Sequence, residues 1–130
     1  MELHQTPVTH QELVRRSGMK FMLFMITDTS LNRTTADSEV DAWVDEVEAT
    51  GKRVIGSVLG PLSSATVLRV RDGQRVLTDG PFARTQDWIC GFEILDADDL
   101  DDAIEIASRH PMARNGQLEL RPFLPRDNHG

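Results

Sequence analysis

The chain is almost without cysteine: Cys90 stands alone among 130 residues. A lone thiol closes no intrachain disulfide and supplies no cysteine-based metal cluster, so the sequence suits a reducing cytoplasm. Long apolar runs are missing too, none approaching the roughly 20 residues that span a bilayer. The N-terminus lacks the charged start and apolar centre of a signal peptide. A soluble cytoplasmic protein with no membrane partner is expected. Positive charge is scarce and scattered; the net charge of −7 gives a field that repels phosphate backbones, and Lys and Arg form no stripe, which argues against direct nucleic acid binding. There is no P-loop, no glycine-rich dinucleotide fingerprint and no His-Glu-x-x-His helix. Gly56-Ser57-Val58-Leu59-Gly60 runs into Pro61 where a phosphate loop needs Lys followed by Ser or Thr. His4, His10 and His129 lie near the ends, so no purpose-built metal site is expected, and no nucleotide, flavin or metal cofactor is indicated.

What is present fits one globular domain. Apolar residues make up 39% and charged residues 27% of the chain, ordinary values for a folded protein. Residues 1–18 are polar, without sustained apolar period, and read as an extension with one short helix around Gln11 to Arg16. Met19 is a plausible alternative start, and deletion of the extension is expected to leave the core intact. The domain is expected over residues 19–124, with a tail at 125–130.

Phe21 to Ile26 is apolar at every position, the pattern of a strand buried on both faces. Val40, Trp43, Val44 and Val47 recur at helical spacing among acids, which predicts an amphipathic helix over Ala36 to Thr50, capped by Thr34 or Thr35 and ended by Gly51. Strands are expected at Arg53 to Leu59, at Ala65 to Arg71 and Gln74 to Thr78 around an Asp72-Gly73 hairpin turn, and at Trp88 to Leu95. The hairpin register sets Leu68 opposite Leu77 and Val70 opposite Arg75. Gly91, mid-strand, signals close backbone approach or a bulge. Asp98 or Asp99 caps a second helix that stops at His110-Pro111, and Gln117 to Phe123, interrupted by Pro122, reads as a last strand, the proline marking either a sheet edge or the strand's end.

The order β, α, β, hairpin, β, α, β gives the fold class: α+β, a ferredoxin-like βαββαβ with an inserted β-hairpin. Two helices cover one face of a four-stranded sheet, yet the first strand is apolar on both. A second copy of the chain is the simplest cover for the other face, so a homodimer is expected.

Thr78-Asp79-Gly80-Pro81-Phe82 breaks a strand with an acid, two backbone-special residues and an aromatic, an order that core packing does not require. Asp79 reads either as a turn acid or as the partner of a proton-transfer group. His110 reads either as a helix-ending histidine favoured by the helix dipole or as that group, at the mouth of a cleft. Phe82 is a plug under its loop or a cleft wall, and Arg121 a partner of Glu119 or a clamp for an anionic substrate. Cys90 and Trp43 read as packing residues. Were the His110 imidazole set against Asp79, it would hold its proton more tightly than a free imidazole.

Thr78 to Phe82, followed by Thr85 and Gly91-Phe92, resembles the signature of the DGPF proteins, a branch of the YCII-related family. Met19-Lys20, His110-Pro111 and Glu119-Leu120-Arg121-Pro122 carry the resemblance across about residues 19–123. It implies a ferredoxin-like dimer of the α+β barrel type. Some YCII-like relatives resemble cofactor-free lyases that use a His-Asp pair with the histidine on the first helix. Here Ala36 to Thr50 holds no histidine, and His110-Pro111 stands where those relatives have Asp-Pro. DGPF proteins also resemble companions of alternative sigma factors, which implies a noncatalytic regulatory role as the competing reading. The site expected on these grounds is a cleft between sheet and helices: catalytic His110 and Asp79, with Phe82, Arg84 and Arg121 around a small polar or aromatic ligand, no metal and no cofactor.

Overall fold

The computed structural model describes residues 18–125. Its strands and helices follow the expected order with one unexpected helical turn before the last strand: β1 (Met19–Ile26), α1 (Asp37–Ala49), β2 (Arg53–Val58), β3 (Thr66–Arg71), β4 (Gln74–Asp79), β5 (Ile89–Ala97), α2 (Leu100–Ser108), the added one-turn α3 (Met112–Asn115) and β6 (Gln117–Pro122). Four strands form one antiparallel sheet in the order β2-β5-β1-β6, and β3 and β4 form a separate ribbon. Removing the ribbon leaves a βαββαβ chain in the strand order of a ferredoxin-like domain. The extension with its short helix at Gln11 to Arg16, and the tail beyond Pro125, lie outside the described residues. Among the described residues no helix is long and apolar enough to cross a membrane.

Strand alternation divides β1. Phe21, Leu23 and Met25 point under the helices and are buried, whereas Met22, Phe24 and Ile26 lie on the opposite face and are half-buried. The core joins Phe21 and Leu23 to Leu95 and Ala97 of β5, to Trp43 and Val47 of α1, and to Ala103, Ile106 and Ala107 of α2. The apolar stripe read in α1 is therefore its inward face.

Local signals set the element ends. The Asp99 carboxylate accepts the Asp102 amide at 2.8 Å and starts α2. The start of α1 differs from expectation: its cap is Ala36, not Thr34 or Thr35, and Glu39 Oε1 accepts the Ala36 amide at 3.3 Å. Thr35 is drawn elsewhere, its hydroxyl accepting from Asn115 Nδ2 at 3.0 Å. The hairpin has the expected register, Leu68 against Leu77 and Val70 against Arg75, about a turn in which Asp72 and Gly73 both have positive φ. β4 runs on to Asp79, placing it on the Leu77 face. Gly91 meets both expectations: the β1 register shifts beside it, and a Cβ there would fall 3.1 Å from the Ser57 carbonyl oxygen of the neighbouring strand. Pro122 ends β6, an outer strand of the sheet.

Trp43 binds the helix layer together, its indole N–H donating to the Ile106 carbonyl at 2.9 Å. Trp43→Ala is expected to lower the unfolding free energy by about 3–5 kcal/mol in urea titration, since it opens a large cavity and removes a buried hydrogen bond.

Candidate functional site

Between the sheet and α1 lies a cavity of about 440 Å³ whose lining includes His110, Glu93, Arg53, Asp37, Asp41 and Cys90. Met25, Val40, Val44, Val58 and Met112 supply its apolar wall. It is of the size that takes a small organic molecule.

His110 is positioned by the break between α2 and α3. Its amide donates to the Ala107 carbonyl at 2.9 Å, its carbonyl accepts from Ala113 at 2.9 Å, and Pro111 turns the chain into α3. The side chain is completely buried, the imidazole set edge-on to Trp43 with centroids 4.7 Å apart. Nδ1 accepts the Met112 amide at 3.0 Å, so the ring proton of the neutral form sits on Nε2. Nε2 is buried and has no partner among the described residues. Burial lowers the His110 pKa from its ordinary 6.5 to about 4. The expectation of a tightly held proton is thus reversed: no carboxylate flanks the ring closely enough to outweigh desolvation. The helix-dipole reading fails for the same reason, because the imidazole is neutral.

Opposite α1, Glu93 is buried at 3% exposure in β5. Gly56 makes this possible: it faces Glu93 across the β2–β5 ladder, and a Cβ there would lie 2.0 Å from Glu93 Oε1. Arg53 Nε donates to Glu93 Oε1 at 2.6 Å, Nη1 to Glu48 at 2.6 Å and Nη2 to the Gly56 carbonyl at 3.2 Å. Every guanidinium nitrogen is occupied, so Arg53 is fixed in the wall. Asp37 and Asp41, one turn apart on α1, stand exposed at the rim. Burial pushes the Cys90 thiol pKa up, which makes it a poor nucleophile.

Of the expected site residues, the cavity is lined by His110 alone. Asp79 ends β4 on the exposed ribbon, and Gly80 is packed against Ala65 and Val67. Phe82 is 83% exposed and forms no part of the cavity wall, and Arg84 is exposed beside it. Arg121 belongs to the other side of the sheet, where it donates to Glu119 at 2.6 Å and stacks 5.7 Å above the Phe24 ring. The corner is tied to its own ribbon, the Gly80 amide donating to the Ala65 carbonyl at 2.9 Å. Only the loop that follows it returns to the end of β1, where the Thr27 amide donates to the Trp88 carbonyl at 3.0 Å and the Thr29 amide to the Asp87 carboxylate at 2.7 Å. Sequence reasoning missed Glu93, Arg53, Asp37 and Asp41. One signal was available, a single acid inside the apolar run Ile89 to Leu95.

Residues 19–126 match the family described as the YCII-related domain. An uncharacterized protein of Rhizobium meliloti (strain 1021) is 26% identical over 114 residues, covering 81% of this chain and 92% of that protein.

Burial of a neutral His110 has a measurable consequence. Between pH 6.5 and about 4 the unfolded chain binds the proton that the folded chain refuses. Its contribution to stability is complete above pH 6.5 and is lost as the pH falls toward 4. The loss is on the order of 3 kcal/mol, since a tenfold change in proton affinity is worth about 1.4 kcal/mol. His110→Phe, which keeps a ring against Trp43, should remove that component from denaturation curves recorded at pH 7 and pH 4.5. An imidazole NMR titration midpoint near 6.5 would contradict the burial argument.

Proposed function

The chain belongs to the YCII-related family, and from the cavity beneath α1 we propose that it is a cofactor-free protein that binds a small polar or aromatic molecule, with His110 as the residue that touches it. The observation that carries this reading is a buried ring in the cavity lining whose Nε2–H has no partner among the described residues. A buried donor without a partner costs on the order of 1–3 kcal/mol, which a ligand acceptor would recover. The neutral imidazole acts here as a donor, suited to polarising a carbonyl or similar acceptor in a low-dielectric site. Where the ligand has a C–H beside that carbonyl, the same hydrogen bond makes it more acidic, and a rim carboxylate, Asp37 or Asp41, would take the proton, the first step of lyase and isomerase chemistry. Asp79 can join such chemistry only if it comes to the cavity from outside this chain's own fold. Binding without turnover would make the protein a regulatory module working through the same cavity.

A thermal-shift screen of aromatic amides and ketones, followed through the His110 ring signals, tests the proposal. Ligands should raise the melting temperature by mass action and perturb His110. His110→Phe should abolish both effects. Deuterium uptake from D₂O at the carbon next to a bound ketone marks an enzyme, and its absence a binder. If no compound moves the His110 signals, the proposal fails.

The uncovered sheet face supports a second proposal, a homodimer closed into an α+β barrel. Met22 lies between Ile94 and Arg121 in the ladders and Phe24 between Phe92 and Glu119, while Ile55, beyond Ile94, is 54% exposed. Covering these side chains with a second copy should bury at least ~1,000 Å². Sedimentation at micromolar concentration should show a dimer for the native chain and a folded monomer for Ile94→Asp. A native monomer would overturn this part.

A further inference from the structure

We propose that the molecule taken by the cavity carries an amine or other cationic group at one end and an uncharged hydrogen-bond acceptor at the other. The cation would lie at Asp37 and Asp41 on the rim, and the acceptor at His110 in the closed end. The inference rests on the cavity reading above and adds the class of ligand. It stands on two independent features: two carboxylates without an ion-pair partner among the described residues, and the unpartnered Nε2 of a fully buried ring.

The charges around the cavity decide the sign. Glu93 and Arg53 neutralise each other, and Glu48 occupies a further guanidinium nitrogen. Each Arg53 nitrogen holds a partner and the guanidinium faces two carboxylates, so it brings no net positive charge to the cavity. Asp37 and Asp41 remain as two whole negative charges, on a helix with six acids and no basic residue. The N-terminus of α1 opposes them with about half a positive charge, which is too little to reverse the field. Glu39 is taken by Arg114 at 2.6 Å. Arg33 lines an adjoining hollow and donates to the Arg114 carbonyl at 2.7 Å. The apolar wall of Met25, Val40, Val44 and Val58 between rim and closed end suits an aromatic or aliphatic body. An anionic substrate, which Arg121 was expected to clamp, meets no free cation in this wall.

Three probes of one shape test the inference: 4-(aminomethyl)benzamide, 4-methylbenzamide and 4-carbamoylbenzoate, titrated against the full chain by NMR. The amine should bind roughly tenfold more tightly than the neutral amide, as two partly exposed charge contacts allow, and the carboxylate more weakly than either. All should perturb the His110 ring. The double variant Asp37→Asn, Asp41→Asn should leave the neutral probe unchanged and bring the amine down to it, and the amine's advantage should shrink in high salt. If the amine and neutral probes bind alike while both move His110, the cation inference is overturned and the cavity reading stands. Tightest binding by the carboxylate overturns it too. If none of the probes perturbs His110, the cavity reading falls, and this inference with it.

Discussion

The contact between Trp43 and Ile106 fixes how the helices lie on the sheet. One indole N–H reaches from the middle of α1 to a carbonyl in the last turn of α2, inside the apolar core. The C-terminal half of α1 is thereby held against the core through Val47, while its N-terminal half, from Asp37 to Val44, borders the cavity. The same indole supplies the surface against which His110 is buried, so helix packing and the electronic state of the imidazole share one cause. A histidine loosened from that wall would be hydrated and would titrate as in water.

The Arg53–Glu93 pair does a different job. Buried ion pairs seldom add net stability, because desolvation offsets the attraction, yet removing one member leaves an uncompensated charge that costs about 3–5 kcal/mol. This pair joins β2 to β5 and, through Glu48, ties the sheet to α1. Its effect is geometric, since it gives the cavity a polar wall that cannot swing toward a ligand. The mobile charge is left to Asp37 and Asp41 at the rim, and the directional hydrogen bond to His110.

Much of the fold was legible because each element carried its own signal. The apolar periods of β1 and α1, the Asp72-Gly73 turn and the Asp99 cap are local, and local signals survive into the structure unless another contact competes. Thr35 shows such competition, drawn to Asn115 and so unable to cap α1. The candidate site was less legible. The Asp79-Gly80-Pro81-Phe82 corner stands out in sequence because its backbone is unusual, and its prominence reports how the chain turns rather than where a ligand goes. His110 was found, with the wrong charge state: a sequence shows which groups are acidic or basic but not how many atoms exclude water from them. Asp37 and Asp41 look like any solvated helix acids until the strand opposite them is known.

Gly56 leaves a mark that extends past this chain. The room it vacates is filled by the Glu93 carboxylate, so the two positions share one volume. Adding a side chain at the first position would force the carboxylate at the second to move. Losing that acid altogether would leave Arg53 paired with Glu48 alone. Substitutions at the pair should therefore be strongly non-additive. The identity of one small strand residue thereby bears on the charge of the cavity wall: glycine leaves room for the acid that offsets Arg53 from within, and a larger residue would push that acid aside.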